Sequence, residues 1–166
     1  IASCLVGSEM CIRDSIPAEP VQAITETVRM IWDDMIDTMD AMPGVGLAAP
    51  QIGIMLRLAV VDASDKRGQA IRMANPEVLH ASTQMRAHDE ASPNLPGVFA
   101  RIERPRAVTV RFLNDRAEIE DRDFVGLWAT SVQHQIDHLD GKLYVDHLTP
   151  LRRKMLVAKS AKLARR

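Results

Sequence analysis

The chain has 166 residues, of which 46% are hydrophobic, 26% are charged and 4% are aromatic, and its formal net charge is −1. A chain of this length buries one ordinary core, so we expect a single domain. No apolar run approaches the roughly 18 residues of a membrane-spanning helix, so we predict no membrane contact, and the near-zero net charge identifies no class of partner.

The first fifteen residues do not resemble the rest of the chain. They contain both cysteines, Cys4 and Cys11, and show neither a helical nor a strand period. They also lack the basic start and continuous apolar core of a secretory signal. We therefore expect residues 1–15 to be a non-native leader and residues 16–166 to form the domain. Without that leader no cysteine remains for a disulfide, which fits a reducing cytoplasm.

Hydrophobic residues then recur at helical spacing. The stripe consists of Ile24, Val28, Ile31, Met35 and Met39. It predicts an amphipathic helix of about five turns that ends near Pro43-Gly44, with the stripe in the core.

The next segment, Gly44–Gly53, reads Gly-Val-Gly-Leu-Ala-Ala-Pro-Gln-Ile-Gly. Two glycines separated by one residue allow the backbone to approach a ligand closely, and Pro50 interrupts any helix. A phosphate-binding loop is a poor alternative, because the Lys-Ser/Thr pair of such loops is absent. The segment is therefore a candidate ligand-binding edge.

Five later segments are predicted to be strands, from their alternation and the turn residues around them. They are Leu56–Asp62, Ile71–Asn75, Phe99–Glu103, Ala107–Leu113 and Ala117–Glu120. We expect Phe99–Glu103 and Ala107–Leu113 to pair antiparallel around Arg104-Pro105. We expect Asp121–Asp123 to cap the helix that follows.

That helix carries two histidines four residues apart, His134 and His138, and ends at Gly141. Residues at this spacing share a helix face, and the H-E-x-x-H signature uses it to bind one metal ion. In that signature the glutamate handles the proton of the metal-bound water. Gln135 stands there instead, and an amide does not accept a proton near neutral pH. Taken alone, the pair also fits two histidines that merely share a helix face.

Three blocks in this order resemble motifs of the peptide deformylase family. Gly44–Gly53 resembles G-x-G-L-A-A-x-Q, Glu90–Gly97 resembles E-G-C-L-S-x-P-G, and Gln133–Gly141 resembles Q-H-E-x-D-H-L-x-G. The resemblance runs from about Ile16 to the C-terminus. It implies an α+β fold with antiparallel strands packed around the central H-x-x-x-H helix, together with an N-terminal and a C-terminal helix.

The resemblance implies a cytoplasmic, metal-dependent hydrolase that removes the N-formyl group from the N-terminal Met of nascent polypeptides. It implies a divalent ion, Fe or Zn, at the positions of Ser92, His134 and His138, and catalytic positions at Gln51 and Gln135. The implied substrate-binding positions are Val45, Gly46, Pro93, Gly97, Leu127, Thr130 and Ser131. The last three would line the pocket for the substrate's first side chain, although simple helix packing is an alternative for them.

Among the departures from the family's motifs, which include Ala91 in place of Gly, three fall on positions to which the resemblance assigns a reacting role. Ser92 offers a neutral hydroxyl where the family has a metal-binding thiolate, and Pro93 has no N–H where the family has a backbone donor to the oxyanion. Gln135 replaces the catalytic glutamate. We therefore expect weakened metal binding and a weakly active or inactive protein, a pseudoenzyme that still binds peptide N-termini.

Two alternatives stay open. One is an active metallohydrolase with a changed substrate or a rebuilt metal site, in which His88 or Asp89 supplies the missing ligand. The other is a non-catalytic structural or ribosome-associated module. Glu90 and Arg104 are expected either to pair beneath the site or to be ordinary surface charges.

The C-terminal segment from about residue 151 is strongly basic. It has no acidic residue, and its cations are Arg152, Arg153, Lys154, Lys159, Lys162, Arg165 and Arg166. A basic helix of this kind can contact ribosomal RNA phosphates, as the resemblance also implies. The alternative is a solvated helix end whose cations lie near the negative pole of the helix dipole.

Overall fold

The structure is a computed structural model that describes residues 15–164. The predicted leader therefore lies outside the described residues except for Ser15, as do Arg165 and Arg166 at the end of the basic segment. No helix in the described part of the chain is long and apolar enough to cross a membrane.

The predicted α+β architecture is confirmed. Within residues 15–164 the α-helices are α1 (Glu26–Ala41), α2 (Leu127–Leu139) and α3 (Pro150–Ala164). The strands are β1 (Gly46–Ala48), β2 (Leu58–Val61), β3 (Ile71–Ala81), β4 (Met85–Glu90), β5 (Ala100–Pro105), β6 (Ala107–Leu113) and β7 (Ile119–Val125). Two short 3-10 turns, Ala49–Ile52 and Tyr144–His147, complete the regular structure.

Helix α1 forms where the apolar stripe predicted it. Thr25 caps its start by accepting a hydrogen bond from the Val28 N–H at 3.3 Å. Met35 and Met39 are fully buried, but so is Trp32, which the stripe omitted, whereas Ile31 is only partly buried. The buried face is therefore rotated slightly from the predicted one, which places the larger Trp32 side chain in the core.

The strands form two antiparallel sheets. One has five strands in the order β1-β2-β3-β6-β7, and the other consists of β4 and β5. The predicted pairing of Phe99–Glu103 with Ala107–Leu113 is wrong, because β5 pairs with β4 while β6 pairs with β3 and β7. Only Arg106 separates β5 from β6. A two-stranded hairpin needs a loop of about two residues or more, so the chain passes from one sheet to the other instead.

Strand β3 continues through Pro76, although the prediction ended it at Asn75. Asn75 adopts a positive φ of 51°, and its side-chain amide bonds both the N–H and the C=O of Val21 at 2.8 Å. The register shifts between Ala74 and Glu77. Such a bulge tolerates a proline that cannot donate to the ladder, so the strand bends without ending.

One expectation at the start of α2 is also corrected. Strand β7 runs to Val125, so Asp121–Asp123 belongs to a strand and does not cap the helix. Gly126 occupies the N-cap position instead. At the other end, Gly141 follows the helix with a φ of 73°, the left-handed conformation that ends helices, as predicted.

Helix α2 lies between the two sheets. Its buried Ala129, Val132, Ile136 and Leu139 pack into the same core cluster as residues of the five-stranded sheet. Its other side faces β4 and β5, where Glu90 reaches His134. Helix α3 packs against the segment that joins β4 to β5, where Ser160 Oγ donates to the Pro96 carbonyl at 3.0 Å. The polar residues of α2 thus face the gap between the sheets.

Candidate active site

A cleft of about 520 Å³ opens between the β1 edge, helix α2 and the segment that follows β4. Ten of the predicted site positions line it: Val45, Gly46, Gln51, Ser92, Pro93, Leu127, Thr130, Ser131, His134 and Gln135. His138 lies behind this lining, within hydrogen-bonding distance of Ser92 and His134. Gly97 is not part of the lining. It lies against α3, where an added Cβ would be 2.7 Å from the Leu163 side chain.

The two histidines face one another. His134 Nε2 and His138 Nε2 are 3.1 Å apart, and Ser92 Oγ is 3.4 Å from His138 Nε2. Glu90 Oε2 lies 2.7 Å from His134 Nδ1. Because an ionised carboxylate only accepts hydrogen bonds, His134 Nδ1 donates to Glu90, and the Nε2 of the same ring faces His138.

Glu90 is ionised because of its partners. Burial opposes its charge, but hydrogen bonds from His134 and Arg104 outweigh burial and lower its pKa to about 2. Arg104 donates to Glu90 through Nε at 2.6 Å and through Nη2 at 2.9 Å. Both side chains are about 95% buried. The predicted ion pair beneath the site is confirmed, and the alternative of two surface charges is wrong.

Arg104 also connects the Glu90 ion pair to residues nearer the protein surface. Arg104 Nη1 donates to Asp137 Oδ2 at 2.8 Å, and that oxygen is 2.7 Å from His147 Nε2. Asp137 is on α2, next to His138. The chain of contacts from Glu90 to His147 therefore fixes both the orientation of His134 and the position of β5 against the helix.

His138 is neutral. Burial, followed by the neighbouring His134, lowers the pKa of its imidazole well below the usual value. Its Nδ1 has no hydrogen-bond partner within the described residues. A neutral imidazole is the form that binds metal ions, so this environment suits a ligand.

Gln51 is held by the 3-10 turn that follows β1. Its Oε1 accepts from the Ala48 N–H at 2.9 Å, and its Nε2 is 3.2 Å from both Ser92 Oγ and Asn94 Oδ1. Asn94 is 5% exposed and was absent from the predicted site. Its place in the second motif, two residues after Ser92, was the available signal. The side chains of Gln51, Ser92 and Asn94 thus form one buried cluster.

Gln135 lies against the β1 edge. A Cβ added at Gly46 would be 2.7 Å from Gln135 Nε2 and 2.6 Å from Ser131 Oγ, so only glycine fits there without movement. This close approach is what the Gly-x-Gly segment predicted. Gln135 is 4% exposed, and its Oε1 has no hydrogen-bond partner within residues 15–164.

The two histidines are spaced to share one divalent ion, but the third donor is weak. The separation of 3.1 Å between the two Nε2 atoms is close to that of two ligands on one tetrahedral ion with bonds of about 2.0–2.1 Å. The third donor, Ser92 Oγ, is a neutral hydroxyl. His88 and Asp89 line the cleft, but no group of three His, Cys, Asp or Glu side chains in the described part of the chain is arranged to hold a metal.

The chain is similar to proteins of known family. The sequence model of the Polypeptide deformylase family matches residues 12–154, which include residues 12–15 of the predicted leader. The peptide deformylase of Afipia carboxidovorans is 39% identical over 150 residues, covering 89% of this chain and 88% of that protein. The peptide deformylase of Caulobacter vibrioides is 41% identical over 148 residues, covering 88% and 86%.

The fold is also similar to solved structures of peptide deformylases. A crystal structure of a peptide deformylase from Legionella pneumophila superposes with a TM-score of 0.90 at 36% identity and covers 99% of this chain and 96% of that one. One from Ehrlichia chaffeensis in complex with actinonin has a TM-score of 0.91 at 27% identity, and the match covers 100% of this chain and 99% of that one.

Proposed function

This chain belongs to the peptide deformylase family, and on that premise we propose that it binds the N-terminal formyl-Met segment of peptides while hydrolysing the formyl group slowly or not at all. The family reaction is metal-dependent removal of the N-formyl group from nascent polypeptides. What supports the proposal is that Ser92, Pro93 and Gln135 line the cleft, at the positions where the family's motifs have the metal-binding cysteine, the backbone donor and the glutamate base.

The first deficit is in proton transfer. Gln135 occupies the position of the family's general base, and its neutral amide takes no proton from water. Loss of a general base typically lowers the rate by about 100–10,000-fold. Its Oε1 is also unpartnered within the described residues, so Gln135 offers an acceptor to a ligand N–H in place of a base.

The second deficit is in stabilisation of the oxyanion. Pro93 has no N–H to donate, and the Gln51 amide already lies within 3.2 Å of Ser92 and Asn94. Loss of one oxyanion donor typically lowers the rate by about 100–1000-fold. The two deficits need not multiply, because the groups act as a unit.

The third deficit is in metal retention. His134, His138 and Ser92 would hold the ion, and Glu90 would keep His134 in the required tautomer. The chemistry that a divalent ion supplies when bound is Lewis-acid polarisation of the formyl carbonyl. A hydroxyl lacks the charge and softness of a thiolate, so we expect a zinc or iron ion to be lost on dialysis against a mild chelator. Near-stoichiometric metal in elemental analysis would contradict this expectation.

Peptide binding depends on a different part of the cleft. Strand β1 is at the edge of its sheet and, within the described residues, pairs only with β2. Its second edge borders the cleft, where an extended peptide can add as a further strand. Leu127, Thr130 and Ser131 lie beside this edge and would receive the first side chain.

Isothermal calorimetry with formyl-Met-Ala-Ser amide tests the proposal. We expect saturable binding and recovery of the peptide with its formyl group intact. A flat titration would refute peptide binding and favour a purely structural role for the fold.

We also propose a cytoplasmic location and contact between α3 and ribosomal RNA. Arg153 is paired with Asp146 at 2.6 Å, but Arg152, Lys154 and Lys159 are exposed along the helix and make no ion pair within residues 15–164. Cations that are free of internal partners are available to phosphates.

A further inference from the structure

Strand β4 carries an arginine that is bonded to a hydroxyl beside the cleft. Arg86 Nη1 donates to Thr130 Oγ1 at 3.1 Å, and Thr130 Oγ1 donates to the Gly126 carbonyl at 3.2 Å. No carboxylate within residues 15–164 lies within ion-pairing distance of Arg86, and Thr130 is the one hydrogen-bond partner of its guanidinium there.

This arrangement is unusual among the arginines of the described chain. Nine others pair with a carboxylate: Arg29, Arg57, Arg67, Arg72, Arg101, Arg104, Arg111, Arg122 and Arg153. Arg106, Arg116 and Arg152 also have no carboxylate partner in residues 15–164, but they are exposed to water. Arg86 is partly buried. A partly buried charge without a counter-charge is costly, so Arg86 is suited to an anion supplied by a ligand.

Arg86 borders the cleft through its contact with Thr130. Thr130 lines the cleft and is one helical turn before His134, so the two residues share a face of α2. Arg86, His88 and Glu90 alternate along β4 and therefore project from the same face of the strand. His88 and Thr130 line the cleft, whereas Arg86 is not part of the lining, so its guanidinium lies behind the Thr130 side chain at the border of the cleft.

We propose that Arg86 receives a carboxylate of the bound peptide and makes the cleft selective for an acidic ligand. This inference rests on the peptide-binding function proposed above. The bond to Thr130 fixes the guanidinium and leaves its other N–H groups for the two oxygens of a carboxylate, which they match in geometry. The carboxylate can come from an acidic side chain near the peptide N-terminus or from the C-terminus of a short formyl-peptide.

Pairs of peptides that differ only in charge distinguish these sources. Starting from formyl-Met-Ala-Ser amide, Glu is compared with Gln at the first position and then at the second, and formyl-Met-Ala acid is compared with its amide. We expect at least one acid to bind about tenfold more tightly than its matched amide, the gain typical of a hydrogen bond to a charged group.

Variants then assign the gain to Arg86. Arg86→Gln should abolish the preference for the acid, whereas Arg86→Lys should keep part of it because the charge remains. Arg116→Gln removes one exposed charge from the distant β6–β7 turn and should leave the preference unchanged. Unfolding curves check that each variant is folded.

Three outcomes would overturn the inference. Equal affinity of every acid and its amide for the wild-type protein would show that no carboxylate is read, and this comparison needs no variant. A preference that persists in Arg86→Gln would assign it to another residue. Flat titrations with all peptides would overturn the peptide-binding function itself, a result distinct from binding without preference.

Discussion

At the scale of single residues, Ser92, Pro93 and Gln135 jointly determine what the site can do. Each alters a different requirement of hydrolysis: retention of the ion, a backbone donor, or a proton acceptor. A chain that lost one of them would be a slow enzyme. On the proposed account, a chain that carries all three substitutions keeps the cleft, Gln51 and the histidine pair but is deficient in all three requirements at once.

Restoring the three residues together should recover hydrolysis. We expect Gln135→Glu alone to raise the rate by less than about tenfold, because the ion is still weakly held and one oxyanion donor is still absent. Gln135→Glu combined with Ser92→Cys and Pro93→Leu should gain more than about 100-fold, since groups that act as a unit are non-additive. Formate release by the single, double and triple variants measures this. Equal gains from the singles and the triple would contradict it.

Glu90 makes stability depend on pH in the acid range. Its folded pKa of about 2 is below the ordinary value of 4.5, so its stabilising contribution is complete above pH about 5 and is lost as the pH falls towards 2. The shift corresponds to a contribution on the order of 3 kcal/mol at neutral pH. Urea unfolding at pH 7 and pH 3 should show a larger loss for wild type than for Glu90→Gln.

The exposed Glu118, in the β6–β7 turn, provides the control. Glu118→Gln should lose as much stability between pH 7 and pH 3 as wild type does. If Glu90→Gln also lost as much as wild type, the pH dependence would have to come from other carboxylates.

At the scale of the elements, the β1 edge determines access to the cleft. Gly46→Ala places a methyl group 2.6–2.7 Å from Ser131 and Gln135, so both side chains must move out of the cleft wall. We expect formyl-peptide affinity to fall at least about tenfold, with a stability cost of about 1–3 kcal/mol. Calorimetry and urea unfolding measure the two effects.

Gly44→Ala provides the contrast within the same segment. The nearest atom to an added Cβ there is the Gly46 carbonyl oxygen, at an ordinary contact distance of 3.8 Å. We expect its peptide affinity to stay within about twofold of wild type. Equal losses in both glycine variants would show that the close approach at Gly46 does not shape the cleft.

Helix α3 is the element that would meet RNA. Replacing Arg152, Lys154 and Lys159 with Gln should weaken binding to ribosomes. The slope of log affinity against log salt should fall by about 0.7–0.9 for each phosphate that the variant no longer neutralises. The triple variant is compared with Arg116→Gln, which removes an exposed charge elsewhere. An unchanged slope would place the RNA-binding surface outside α3 or exclude it.

The elements also show what the sequence can predict. Apolar periodicity predicts helix α1, and the spacing of His134 and His138 predicts helix α2. Strand β4 was missed because its residues, Met85–Glu90, are mostly polar or charged and lack an apolar face. The partners of β5 were mispredicted because adjacency in sequence does not reveal that a chain changes sheet after Pro105. Asn94 was missed because its role depends on contacts with Gln51, 43 residues away.

At the scale of the whole molecule, the core and the site are partly independent. The clusters that hold α1, α2 and α3 against the sheets consist of apolar side chains distinct from Ser92, Pro93 and Gln135. The fold can therefore match solved deformylases with TM-scores of about 0.90, whatever residues stand at positions 92, 93 and 135. The sequence match establishes the family, and the chemistry must be read from the site.

The most direct test of the central claim is the rate of formate release from saturating formyl-Met-Ala-Ser by the wild-type protein. It is measured with added zinc or ferrous ion, beside the Caulobacter vibrioides relative under identical conditions. We predict a rate at least about a thousandfold below that of the relative, from the missing base and oxyanion donor. A rate within about tenfold of the relative would contradict the account and require catalytic groups other than those identified in this cleft.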